Sequence, residues 1–255
     1  VARIKNSFAT TDTTKSYTIC SKCKIKKGVN RMKRLLKSTF ASPIALIINL
    51  LLAYLIYFFA RLTYVLVNYS YFAEGIRNDA IGQWIKGSLM FDTTAILYTH
   101  IPYIILMLFP LWLKETSIYH RICKWLFVVV NAIALAINLA DAVYFPFTLR
   151  RTTTSVFREF SNENNITGII LHNTLTHWYL LLVFGVIIWA VWKLYAMPRT
   201  DYRDFVSAKD RWLYTVKLFV CFALAGIATV AGCRGGLQSG VRPITISNAN
   251  QFVER

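Results

Sequence analysis

Six charged residues stand at or near the ends of long apolar runs, where few charges are tolerated: Arg61, Asp92, Asp141, Arg150, Arg151 and Arg234. Arg61 lies inside a run that starts at Pro43. Either it snorkels to an interface or it turns inward to meet an acid or a phosphate. Asp92 and Asp141 are the matching acids, because a buried charge is normally paired. Asp92, followed by Thr93 and Thr94, also suits a helix N-cap. Arg150 and Arg151 follow Tyr144-Phe145-Pro146-Phe147-Thr148-Leu149. Arg234 precedes Gly235-Gly236-Leu237. Arginine presents a planar fork that matches the oxygens of a phosphate, so the chemistry these residues offer is recognition of an anionic headgroup. Generic anchoring at a membrane interface is the plainer alternative.

Other chemistry finds little footing. Cys20 and Cys23 form a CxxC pair, but a structural zinc site needs a second pair of ligands. His100, His120, His172 and His177 are not spaced as metal ligands. There is no GxSxG, HExxH or P-loop motif, so no catalytic residue is assigned. Asn165-Ile166-Thr167 is a formal glycosylation sequon and carries no weight alone.

The elements that must position the charged residues follow from composition. The 255 residues are 56% hydrophobic and only 16% charged, with a net charge of +17. That balance excludes disorder and a disulfide scaffold, argues against a soluble enzyme or nucleic-acid binder, and fits a multi-pass membrane protein with basic loops. Five runs approach the length of a membrane crossing: 43–67, 95–113, 125–145, 178–196 and 212–233. The expected fold is therefore an all-α membrane protein with five transmembrane helices. Two further segments, 79–91 and 152–164, carry apolar residues at helical spacing and are expected as short amphipathic helices on the outer surface. Residues 1–31 read as a disordered, polar, basic tail, residues 32–233 as the membrane domain, and residues 234–255 as an extracytoplasmic linker. The chain reads as a fragment of a longer protein.

Residues 91–92, 144–153, 234–238 and 242–244, with Arg61, resemble the N-terminal membrane domain of the lipoteichoic acid synthase/sulfatase-like family, within the alkaline phosphatase superfamily. The resemblance covers about residues 32–255. It implies a cell-membrane protein with a large extracytoplasmic catalytic domain after five spans. That domain uses a divalent metal, typically manganese, to transfer phosphoglycerol, phosphoethanolamine or a related group from a lipid. No cofactor falls in this chain, and its expected partners are membrane lipids, an anionic phospholipid headgroup and its own catalytic domain, not nucleic acid. Arg61, Asp92, Asp141, Arg150, Arg151 and Arg234 become candidates for holding the headgroup. The alternative is a small polytopic transporter or a sensor membrane domain, to which Asn49, Asn131 and Asn138 lend some polarity.

Lysine and arginine set the orientation, since they are retained on the cytoplasmic side. Eleven lie in 1–42, three in 114–124 and six in 193–217, twenty in all, against eight in the alternate segments, with Arg61 within a span. The N-terminus is expected inside and the C-terminus outside. An alkaline-phosphatase reporter fused after Arg255 should be active. A silent one, with an active cytoplasmic reporter at the same point, would reverse the topology.

Overall fold

The computed structural model describes residues 41–77, 81–109, 116–149, 166–198 and 208–234. Among them every regular element is a helix: α1 Ala41–Val67, α2 Tyr69–Arg77, α3 Ile81–Leu108, α4 Ser117–Thr148, α5 Ile166–Thr176, α6 Trp178–Leu194 and α7 Ala208–Arg234. Four stretches are long and apolar enough to cross a membrane: α1, residues 87–108 of α3, α4, and residues 212–234 of α7. The fourth expected span, free of charge from Trp178 to Trp192, forms the 17-residue α6. It is about 25 Å long, at the short edge of what a hydrocarbon layer of about 30 Å requires.

The second expected span changes most. Residues 81–91 do not form a separate surface helix, because α3 runs unbroken from Ile81 to Leu108. Asp92 is therefore interior to a helix rather than its N-cap. Backbone hydrogen bonding along an uninterrupted helical stretch outweighed the local capping signal of Asp92-Thr93-Thr94. The helix ends before Pro110, not at Leu113, as expected where proline removes a donor and disfavours helix at the preceding residue. A short helix does follow the first span, but it is Tyr69–Arg77. The segment 152–164 lies outside the described residues.

The core of the bundle is built on α1. Its buried stripe runs Ala41, Ala45, Asn49, Ala53, Ile56, Ala60, Tyr64, a three- and four-residue spacing that keeps one face inward. Small residues on it let α4 and α3 come close. The end of the bundle near Ala41 gathers Trp125 of α4 and Trp192 of α6, whose rings lie 4.9 Å apart, with the Lys124 ammonium 4.0 Å from the Trp192 ring centroid. At the other end, near Val67, Tyr64 and Phe72 pack on Phe145. Helix α7 leans on α3 alone among its strong neighbours. A Cβ at Gly232 would run into the Leu97 side chain, so glycine permits that approach.

Two prolines leave carbonyls without helical donors that neighbouring side chains replace. Pro146 cannot donate to the Ala142 carbonyl, and Asn68 Nδ2 donates to it at 2.9 Å. Pro110 cannot donate to the Leu106 carbonyl, and the Tyr119 hydroxyl does so at 2.5 Å. Such rescue is what makes proline tolerable in an apolar bundle. α4 then stops at Leu149, whose φ of 53° is left-handed and whose N–H bonds the Phe145 carbonyl.

After Leu194 the chain leaves its helix, yet Tyr195, Ala196 and Pro198 remain buried. Asn49 makes this possible. Its Nδ2 donates to the Ala196 carbonyl at 2.9 Å and its Oδ1 accepts from the Ala196 N–H at 2.8 Å. Asn49→Ala should leave both peptide groups unpaired and cost about 2–4 kcal/mol. Thr63→Ala, which removes a hydroxyl bonded only within the range of its own helix turn, should cost well under about 1 kcal/mol. Equal losses in unfolding titrations in mixed micelles would contradict the clamp.

Candidate functional site

Charge collects at the Val67 end of the bundle. Arg61 sits six residues before the end of α1 and turns to α3, where its Nη2 meets Asp92 Oδ1 at 2.5 Å. The two side chains are 33% and 15% exposed, so the pair is mostly withdrawn from water and each charge needs the other. The sequence left Arg61 between snorkelling and pairing, and the structure pairs it. The Arg61 Nε–H is buried without a hydrogen-bond partner.

Neighbouring contacts bring two more candidates to the same end. Asp141 is 4% exposed and precedes Ala142, whose carbonyl receives Asn68. Asn68 is seven residues beyond Arg61, about two turns on the same face of the chain's first helical stretch. Arg234 closes α7 two residues after Gly232, whose carbonyl accepts the Thr94 hydroxyl at 3.5 Å. Thr93 in turn accepts from the Tyr54 hydroxyl at 2.7 Å. Arg61, Asp92, Asp141 and Arg234 thus stand within a few turns of one another at one end, on α1, α3, α4 and α7. Arg150 and Arg151 lie outside the described residues, directly after the Leu149 cap of α4.

A second polar group lies inside the bundle, and its pairings have no signature in the sequence. His100 Nδ1 lies 2.8 Å from the Ile96 carbonyl, which can only accept, so Nδ1 carries the proton. Its Nε2 therefore accepts from Asn131 Nδ2 at 2.9 Å, and the imidazole is neutral. One turn along, Asn49 Nδ2 donates to the Tyr103 hydroxyl at 2.7 Å, and Tyr103 donates to Tyr195 at 3.3 Å. Asn49 and Asn131 each stand out in the sequence as a polar residue within an apolar run. His100 and Asn131 are 31 residues apart, with no pattern joining them.

Among the described residues no three His, Cys, Asp or Glu side chains come together as metal ligands. Nothing among the described residues fits the manganese-like ion of the resembled family. Comparison with family models, with curated proteins and with solved structures found no match.

The chemistry of the Val67 end, among the described residues, is charge pairing: Arg61 and Arg234 stand with Asp92 and Asp141. Arg61→Ala or Asp92→Ala should each destabilise the bundle by about 1–3 kcal/mol, because the survivor is left withdrawn from water. The double substitution should cost less than the sum. Strict additivity in a double-mutant cycle by thermal unfolding in detergent would show that the pair is not coupled.

Proposed function

We propose that this chain is the membrane anchor and lipid-substrate platform of an outward-facing, sulfatase-like phosphoglycerol or phosphoethanolamine transferase. The observation that carries this reading is the Arg61–Asp92 pair set at the same end of the bundle as Asp141 and Arg234. An organised charged end, rather than scattered anchors, suits a surface that receives a headgroup. Support also comes from the resemblance of residues 32–255 to the lipoteichoic acid synthase/sulfatase-like family.

In this reading α6 is the fifth crossing. It runs antiparallel to α4, as the Trp125–Trp192 contact at one end requires, and the segment 195–198, with Tyr195, Ala196 and Pro198 buried, lengthens it. The Val67 end is the outer face and the Ala41 end, with Lys124 over Trp192, the cytoplasmic one. Arg61 and Asp92 neutralise each other and brace the face. Arg150, Arg151 and Arg234 supply the positive excess that draws an anionic headgroup. Tethering a catalytic domain at the same leaflet raises the effective concentration of lipid to about the millimolar range.

The other reading, a polytopic transporter or sensor domain, is favoured by the buried His100–Asn131 and Asn49–Tyr103–Tyr195 contacts. These contacts bond one another and the backbone, which suits a structural role equally.

Arg150→Ala with Arg151→Ala should leave membrane insertion intact. It should weaken binding to phosphatidylglycerol vesicles by about tenfold for each arginine–phosphate bond removed, and lower transferase activity of the full-length protein. Unchanged binding and activity would remove the headgroup platform.

A further inference from the structure

The bundle has a side opening. Between α1 and α6 runs a cavity of about 490 Å³, lined by Leu52, Ile56 and Phe59 on one wall and Val186, Ala190 and Val191 on the other. Its floor is closed, with Ile56 3% and Val191 1% exposed, while its rims stand open, with Phe59 49% and Val186 64% exposed. Thr63 lines the upper wall, and its hydroxyl is turned back onto the Phe59 carbonyl at 2.9 Å, leaving its methyl for the groove. The cleft exists because α1 and α6 both pack on α4 and meet each other only slightly.

We propose that this groove holds one acyl chain of an outer-leaflet phospholipid, so that the platform grips its lipid by the tail as well as the headgroup. The choice of leaflet rests on the orientation given under Proposed function. The dimensions fit. From Thr63 to Leu52 the wall is about 16 Å long, against about 15 Å for one leaflet of the hydrocarbon layer. Thr63 lies four residues short of Val67, about 6 Å below the outer end of α1, where an ester-linked chain enters the hydrocarbon.

The inner end is shut. Leu194 is the last lining residue on α6, and directly after it the chain turns beneath the groove and is clamped by Asn49 through both peptide groups of Ala196. An inner-leaflet chain would have to pass this plug and cross the midplane. A membrane-crossing helix from a second copy would run into the same plug. A single chain descending from the outer leaflet meets neither obstacle. Arg61 turns to α3, on the far side of α1, so the groove and the ion pair occupy separate faces. Filling the one does not disturb the other.

The test uses the full chain in nanodiscs with diacyl phosphatidylglycerol carrying a diazirine on one acyl chain, near the carboxyl or near the terminal methyl. Crosslinks mapped by mass spectrometry should be several-fold denser on groove residues than on the lipid-facing positions Phe219, Val220 and Leu224 of α7. The carboxyl-end probe should label near Thr63 and Leu182, and the methyl-end probe near Leu52 and Leu194. Ala190→Phe should fill the groove and lower this labelling several-fold without altering that of α7. Val186→Trp, at an exposed rim, provides the same readout if the first variant folds poorly. Uniform labelling of α1, α6 and α7 means ordinary annular lipid and overturns the proposal. So does a reversed order of the two probes, or crosslinking of Leu55→Cys between two copies. A phosphatidylcholine probe that labels the groove as well as phosphatidylglycerol supports the groove and counts against the anionic platform, which separates the two readings.

Discussion

A peptide group that leaves its helix inside an apolar bundle has no water to turn to, and an unpaired one costs several kcal/mol. Much of this architecture answers that constraint. Asn49 is the central answer. Buried completely on α1, it bonds the Ala196 peptide from both sides and the Tyr103 hydroxyl as well. One side chain thereby ties α1 to α3 and to the segment after α6. Without it, residues 195–198 could not stay under the bundle and α6 would lose its anchor to α1.

Two of the prolines obey the same rule. Pro110 and Pro146 end or interrupt helices that would otherwise run on. The freed carbonyls of Leu106 and Ala142 are met by Tyr119 and Asn68. Each rescue also pins two elements together: α3 to the start of α4, and the end of α1 to α4. Breaks in the backbone ladder have thus become contacts that set helix positions.

Charge follows a parallel logic at the Val67 end. Arg61 is too deep to be left alone, and Asp92 is brought to it only because α3 continues unbroken through the segment whose apolar spacing also suits a helix lying flat. The pair fixes α1 against α3, Gly232 lets α7 approach α3, and Arg234, the last residue of α7, follows at that same end. Between the clamp at one end and the ion pair at the other, a groove runs along the α1–α6 seam.

Composition and apolar run length, with no partner residue needed, determined that the described residues are helical and include helices long and apolar enough to cross a membrane. They located the ends of α1, α6 and α7 to within a few residues, whereas α3 starts 14 and α4 eight residues before the expected runs. Those features are local: about 20 apolar residues make a crossing whatever surrounds them. The candidate charges were legible for the same reason, since a charge in or beside an apolar run stands out alone. What only the tertiary structure decided depends on pairs distant in the chain. Arg61 chose Asp92 rather than the interface. Asp92 became helix interior rather than a cap, because continuous backbone bonding outweighs one capping side chain. Asn49 met Ala196 across 147 positions, and His100 met Asn131. A single sequence records the need of each polar group for a partner, but the partner is selected by which helix faces pack together.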